Sequence, residues 1–206
     1  MYPNFVASEA ALASENVYFT DYHAKREAFE LTMYPFTRNA VAAFDWGGVL
    51  MNRYMSKDNK SRHQRFTGDI FEMATAITNQ TSVNCVALTP DALATLPAFE
   101  IEWLRQLPTA WSDLRFLGGY PGKYFAVARQ TTAGKWYAAA INADPKPLTL
   151  TLDLPMFAGK VVKVYADGPK KKGSLWLTPG MKQQKVGRNG RLTVTVQPNG
   201  GVIVNE

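Results

Sequence analysis

A change of pattern near Pro108 most constrains how this chain folds. Beyond it, short runs rich in β-branched and aromatic residues alternate with turn residues such as Thr132-Ala133-Gly134. This alternation is typical of short antiparallel strands. We predict such strands at 112–117, 123–131, 135–142, 148–154, 160–165, 192–197 and 202–204. That many short strands in about 98 residues predict an antiparallel β-sandwich over residues 109–206.

The residues before this boundary predict a mixture of helices and strands. The segment Phe36–Asp45 is short and largely apolar, ends in an acid and precedes two glycines, as a buried strand does. Apolar side chains at three- and four-residue steps predict a helix over 61–80. We predict further helices over 20–30 and over 90–107, the latter capped by Thr89 and broken near Pro97. The chain is therefore expected to be α+β in two parts.

Composition excludes several classes of protein. No apolar stretch approaches the roughly 18 residues of a membrane span, so no membrane partner is expected. One cysteine, Cys85, excludes an internal disulfide, and its apolar neighbours predict a buried, inert thiol. The two histidines, His23 and His63, leave little material for a zinc site.

Charge is divided unevenly between the two parts of the chain. Residues 1–108 carry 9 Lys and Arg against 12 Asp and Glu, a net of −3, and residues 109–206 carry 14 against 5, a net of +9. A basic domain can bind nucleic acid. These lysines are scattered, however, and lack the interleaved exposed aromatic residues of a base-stacking surface. We therefore expect solvated loops and no nucleic-acid partner.

An acidic segment near the start contains the best candidates for chemistry. Glu9 and Glu15 lie six positions apart in residues 2–16, which contain no Lys or Arg. Carboxyls without nearby cations tend to have raised pKa values, as a general acid needs, or can share a Ca²⁺ ion. The alternative is the solvated face of a helix. The segment alone leaves these possibilities open.

Three further residues are candidates for binding substrate. Asp45 ends the predicted strand, and Trp46 beside it can stack on a sugar ring or pack in the core. His23 follows Glu15 by eight residues, so it can line the same cleft or have a structural role.

Several short strings in a fixed order carry a resemblance to a known family. They are the opening Tyr2-Pro3-Asn4 with Glu9 and Glu15, Pro35–Asn39 with Asp45, Leu107–Trp111, Gly119–Tyr124, Ala126–Arg129, Lys135–Tyr137 and Ile141-Asn142. In combination they resemble the C-terminal portion of glycoside hydrolase family 97. Members of that family are calcium-dependent α-glucosidases and α-galactosidases.

The resemblance implies a fold, a function and residue roles. Residues 1–108 would be the C-terminal part of a (β/α)8 catalytic barrel, and residues 109–206 the C-terminal β-sandwich. Glu9 would hold calcium and Glu15 would be the general acid of an enzyme that hydrolyses α-glucosides or α-galactosides. The family usually has an arginine and glycines between the two acids, where this chain has Ala10, Leu12 and Ala13. A periplasmic or secreted location is also implied.

The same resemblance implies that part of the catalytic machinery lies outside this chain. The opposing carboxylate and the remaining calcium ligands belong to upstream segments of the family's barrel, so this chain alone is expected to be inactive. A partial barrel exposes a sheet edge, which an upstream polypeptide or self-association would cover. The alternative function is a non-catalytic carbohydrate-binding or scaffolding β-sandwich.

Overall fold

The computed structural model describes residues 7–8, 19–41, 43–44, 46–79 and 84–206. Glu9, Glu15 and Asp45, three of the predicted site residues, lie outside these ranges. Trp46 begins a strand, but its side chain is not among those described.

The first part of the chain contains short parallel strands joined through helices. In chain order its elements are β1 (Ala7–Ser8), α1 (Asp21–Met33), a 3-10 turn (Tyr34–Phe36), α2 (Arg38–Val41), β2 (Ala43–Phe44), β3 (Trp46–Leu50), α3 (Asp69–Thr78), β4 (Asn84–Ala87), α4 (Pro90–Leu93) and α5 (Ala98–Arg105). Strand β1 pairs with β2 in parallel, and β3 pairs with β4 in parallel. Each parallel pair therefore encloses a helix, as a β-α-β connection requires.

The second part is almost entirely antiparallel β-structure. Its strands are β5 (Trp111–Tyr120), β6 (Tyr124–Thr131), β7 (Trp136–Asn142), β8 (Leu148–Asp153), β9 (Val161–Gly168), β10 (Thr178–Lys185), β11 (Arg191–Val196) and β12 (Gly201–Asn205). A six-stranded sheet has the order β10-β9-β12-β7-β6-β5, and β8 pairs with β11 in a separate two-stranded sheet. The predicted antiparallel sandwich is confirmed.

The central strands β6, β7 and β12 of the six-stranded sheet are buried on both faces. On one face Ala126, Ala138 and Val202 pack against Leu152 and Val194 of the two-stranded sheet. On the other face Val127, Ala139, Ile141 and Ile203 pack against Ile70, Phe71, Met73, Ala74 and Ile77 of α3. Strands buried on both sides are apolar at successive positions, which explains the run Phe125–Ala128 in β6. The two parts of the chain therefore share one hydrophobic core.

Two glycines allow α3 to approach the sheet this closely. A Cβ on Gly68, the residue before α3, would overlap the Asp167 carboxylate, and one on Gly201 would lie 2.6 Å from the Phe71 Cα. Such separations are shorter than any tolerable van der Waals contact. Both positions therefore require glycine for space.

Several sequence predictions differ from the structure. The helix within 61–80 occupies only Asp69–Thr78, and the predicted strand Phe36–Asp45 is a 3-10 turn, a helical turn and the two-residue β2. Strand β10 was not predicted. Cys85 is exposed, so its expected burial was wrong.

Among the described residues, we find no helix with both the length and the apolar character needed to cross a membrane.

Candidate functional site

Of the predicted site residues, the structure describes His23 on α1 and the backbone of Trp46 at the start of β3. His23 is part-exposed in the first turn of α1, where its backbone N–H donates to Thr20 Oγ1 at 3.2 Å. Its ring meets Tyr22 edge-on, with 5.3 Å between the ring centroids. Ser8 and Phe44, the residues directly before Glu9 and Asp45, are register partners across the β1–β2 pair.

The loops that follow β3 and β4 form a pocket with one loop of the sandwich. Because β3 and β4 are parallel, the loops that follow them leave from the same edge of the sheet. Residues 53–60 lie in the loop after β3, residues 91–95 lie on and directly after α4, which follows β4, and Trp176 comes from the β9–β10 loop. The pocket has a volume of about 540 Å³ and is lined by Arg53, Tyr54, Asp58, Asn59, Lys60, Asp91, Ala94, Thr95 and Trp176. We call it the Trp176 pocket.

Arg53 connects this pocket to a buried group of charges. Its guanidinium donates to Asp69 Oδ2 at 2.6 Å and lies over the Trp176 ring, 5.5 Å from the centroid. Arg65, which is fully buried, pairs with the other oxygen of Asp69. Burial alone would raise the pKa of Asp69, but Arg65 and Arg53 hold it below its ordinary value. Asp69 is therefore an ionised anchor that fixes Arg53 at the pocket wall.

A second buried group surrounds Glu72 on α3. One Glu72 oxygen accepts from the Leu50 N–H at 3.1 Å, and the other accepts from the Thr67 hydroxyl. The same hydroxyl lies 3.4 Å from Glu27 Oε2 on α1. Burial raises the pKa of Glu72 to about 7 and raises that of Glu27 well above its ordinary value, with mutual repulsion adding to the effect on Glu27. Through these buried hydrogen bonds the two carboxyls connect α1, β3 and α3.

Among the acids that the structure describes, Glu100 on α5 is the buried one with the fewest hydrogen bonds. It is fully buried, and within the described residues neither of its carboxylate oxygens has a hydrogen-bond partner. Burial raises its pKa to about 8, with Asp69 adding to the rise and Arg65 opposing it. Glu100 is therefore mostly protonated at neutral pH.

Asp167 on β9, in the second part of the chain, accepts hydrogen bonds from the backbone N–H groups at the start of α3. Its carboxylate accepts from the N–H groups of Ile70 at 3.1 Å, Phe71 at 2.8 Å and Gly201 at 2.9 Å. The residue before α3, Gly68, has no side chain with which to cap the helix, so Asp167 takes that role. Burial raises its pKa to about 7, while the three N–H donors act in the opposite direction.

Sequence reasoning missed both the pocket and the buried acids. Glu27, Glu72 and Glu100 lie in helical segments, where acids ordinarily face solvent. Trp176 is separated from Arg53 by more than a hundred positions, and no local pattern connects them. Among the described residues, no group of three or more His, Cys, Asp or Glu side chains is placed to hold a metal ion.

Comparison with known proteins identifies the class of protein to which this architecture belongs. The chain superimposes over 100% of its length on a β-arabinopyranosidase, with 41% identity and a TM-score of 0.89. It is 28% identical over 145 residues, 69% of the chain, to a probable retaining α-galactosidase of Streptomyces bingchenggensis. A glycoside hydrolase family 97 enzyme from Pseudoalteromonas sp. strain K8 shares the fold over 100% of the chain, with 19% identity and a TM-score of 0.78. The architecture is that of the C-terminal part of a glycoside hydrolase.

The family follows from the second part of the chain. Residues 110–205 match the family described as glycosyl-hydrolase 97 C-terminal, oligomerisation. They match the C-terminal domain of glycoside hydrolase family 97, and the comparisons together support a C-terminal portion of that family. The chain spans 21% of the Streptomyces protein and 32% of each of the two structures. The resemblance stated from the sequence is confirmed.

Proposed function

We propose that this chain completes the catalytic barrel of an α-glycosidase and carries its C-terminal sandwich. The observation that carries the proposal is the match over the whole chain to a β-arabinopyranosidase at 41% identity. Strands β1 and β2 pair in parallel, as do β3 and β4, and each pair encloses a helix, as units of a (β/α)8 barrel do. In this proposal the remaining barrel units belong to the two thirds of the relatives' length that this chain does not span.

We propose galacto-configured substrates rather than glucosides. The two more similar relatives are named for β-arabinopyranosides and for α-galactosides. In the L series a β-arabinopyranoside has the ring configuration of an α-D-galactoside and lacks only the hydroxymethyl group. A single ring configuration therefore accounts for both names.

Glu15 is proposed as the acid–base group and Glu9 as a calcium ligand. The strand ends directly before Glu9 and Asp45 are paired, which supports a shared site for those two acids. In a retaining reaction one carboxyl protonates the leaving oxygen and then deprotonates water, and a second carboxylate is the nucleophile. Glu15 would be the first and a residue outside this chain the second. Calcium would fix charge beside the sugar, with its further ligands also outside this chain.

A chimera tests this proposal. The segment of the β-arabinopyranosidase that matches this chain is replaced by residues 1–206, and hydrolysis of nitrophenyl α-galactoside is measured. We expect turnover that stops with a calcium chelator and returns with added Ca²⁺, and no turnover by the 206-residue chain alone. The arabinopyranosidase without its matching segment is the control for residual activity. A folded but inactive chimera, or turnover by the isolated chain, would contradict the proposal.

The edge strand β5 is the surface that we propose for self-association, in keeping with the oligomerisation role in the family's description. It is the outermost strand of the sheet next to β6, and its Leu114, Phe116 and Tyr120 side chains are 49%, 56% and 59% exposed. An exposed edge strand with large apolar side chains is a template for pairing with another strand. Antiparallel pairing of two copies about Leu114 would set Asp113 opposite the partner's Arg115, so that each Arg115 would lie between Asp113 of the other copy and Asp153 of its own chain. This charge complementarity favours a second copy as the occupant.

Leu114→Lys is expected to abolish this association, because two lysines would face each other across the two-fold axis. Sedimentation of the 206-residue chain is expected to show a dimer for the parent and a monomer for the variant. Val161→Lys is the matched control, since Val161 is 56% exposed but lies on the interior strand β9. A parent chain that stays monomeric, or a variant that still dimerises, would exclude this interface.

A further inference from the structure

The Trp176 pocket combines an aromatic wall with a polar rim. Tyr54 and Trp176 are part-exposed and meet edge-on, with 5.6 Å between centroids and 83° between ring planes. Asp58, Lys60 and Asp91 are exposed on the other sides of the pocket. Aromatic rings beside a few convergent polar groups are the usual lining of a small-molecule site.

The aromatic wall is held in place before any ligand arrives. Arg53 stacks over Trp176 while its guanidinium is fixed by buried Asp69. The backbone N–H groups of Arg53 and Tyr54 both donate to Asn59 Oδ1 at 2.8 Å. Asn59 itself is in the left-handed region, with φ of 56°, a conformation that asparagine tolerates better than most residues. Preorganisation of this kind lowers the entropy lost when a ligand binds.

The charges of the lining favour a neutral, hydroxyl-rich ligand. Arg53 is already paired with buried Asp69, which leaves the ammonium group of Lys60 beside the two carboxylates Asp58 and Asp91. A phosphate or carboxylate ligand would meet at least as much repulsion as attraction in such a site. Sugar hydroxyls both donate and accept hydrogen bonds, so they can use carboxylates and an ammonium group together. The C–H face of a pyranose ring can pack on the indole, whose face carries negative charge density.

We propose that the Trp176 pocket binds one or two pyranose units of a neutral saccharide. A volume of about 540 Å³ is in the range of small-molecule sites and accommodates a mono- or disaccharide. The lining residues named above all belong to this chain, so binding can be tested on this chain without the rest of the barrel. Sugar binding here does not depend on whether the barrel hydrolyses glycosides, and the two proposals can fail separately.

Binding to the 206-residue chain tests the proposal. The probes are melibiose and maltose, with gluconate as an anion of similar size, and the readout is the indole N–H resonance of Trp176 in NMR spectra. That resonance is assigned as the one that disappears in Trp176→Ala. We expect saturable shifts of this resonance with a Kd of about 1–10 mM for at least one disaccharide, and much weaker binding of gluconate.

Matched variants separate a binding role of Trp176 from a structural one. Trp176→Ala is expected to weaken binding at least about 10-fold, whereas Trp176→Tyr, which keeps an aromatic face, is expected to retain most of it. Leu175→Ala, at an exposed position in the same loop, is the control and is expected to bind as the parent does. Asp91→Asn is expected to weaken binding without changing the fold.

Three results would overturn the proposal. They are the absence of any shift with either disaccharide, equal binding of gluconate, and unchanged affinity in a folded Trp176→Ala variant. A variant that only unfolds more easily, in a chain whose parent binds no sugar, would show that Trp176 serves to hold the β9–β10 loop against Arg53.

Discussion

Glu15→Gln is expected to lower the turnover of an alkyl α-galactoside by the chimera by about 10²–10⁴-fold. Glutamine has the same shape but cannot give a proton to the leaving oxygen. An alkoxide is a poor leaving group, so it needs that proton in the transition state. A dinitrophenyl leaving group needs it far less. The loss is therefore expected to be much smaller for dinitrophenyl α-galactoside than for the alkyl galactoside.

Added azide distinguishes an acid–base role from a structural one. In a retaining reaction the same carboxyl activates water in the second step, and azide needs no such activation. We expect azide to restore turnover of the dinitrophenyl substrate by Glu15→Gln and to yield a galactosyl azide. Glu102→Gln on the exposed side of α5 is the control and is expected to retain parental activity. An equal loss for both leaving groups, with no rescue, would remove Glu15 from the proposed role.

The sandwich could be predicted because its strands follow simple rules. In β11 the buried residues Leu192, Val194 and Val196 alternate with exposed residues, as expected for a strand with one solvent-exposed face. Strand β10 escaped prediction because Thr178–Lys185 contains Pro179, Gly180 and a run of polar residues. Such a sequence is tolerated at an edge, where β10 lies, and it is held there by pairing with β9.

The first part of the chain was harder to predict because side chains, rather than periodicity, determine its backbone. The apolar spacing that begins at Phe66 suggested a helix starting near Ser61, but α3 begins only at Asp69. The preceding segment is an irregular loop in which buried Arg65 bonds to Asp69 and to the Gly68 carbonyl. Local propensity cannot reveal a buried ion pair of this kind, because its partners become neighbours only after the chain folds.

The candidate site also contains one part that the sequence predicted and one part that it did not. Glu9 and Glu15 were candidates because their segment contains no Lys or Arg, and the family resemblance, which carries information from residues outside this chain, assigned their roles. The Trp176 pocket depends instead on the β9–β10 loop reaching the loop after β3, a long-range contact that sequence alone did not indicate. The sugar-stacking role first considered for Trp46 stays a prediction, and the pocket offers Trp176 for that role.

Asp167→Ala is expected to lower the free energy of unfolding by about 3–5 kcal/mol. The substitution leaves the N–H groups of Ile70, Phe71 and Gly201 without their acceptor in a buried place. Each buried unpaired donor costs about 1–3 kcal/mol, and the three share one cavity, so their costs do not add fully. Urea denaturation followed by circular dichroism measures the change. Asp167→Asn keeps one acceptor oxygen, so its free energy of unfolding is expected to fall by less.

Asp153→Ala is the matched control for this prediction, because Asp153 is also on a sandwich strand but is 59% exposed in its pair with Arg115. Asp153→Ala should lower the free energy of unfolding by no more than about 1 kcal/mol, as expected for a surface ion pair. Asp167 is the side chain of β9 that accepts the first N–H groups of α3, so its removal should also loosen the contact between α3 and the sheet. We therefore expect amide exchange in α3 to accelerate more than in β7 and β12. Equal losses for the two alanine variants, or unchanged exchange in α3, would show that solvent can replace the Asp167 carboxylate and that apolar packing alone holds the two parts together.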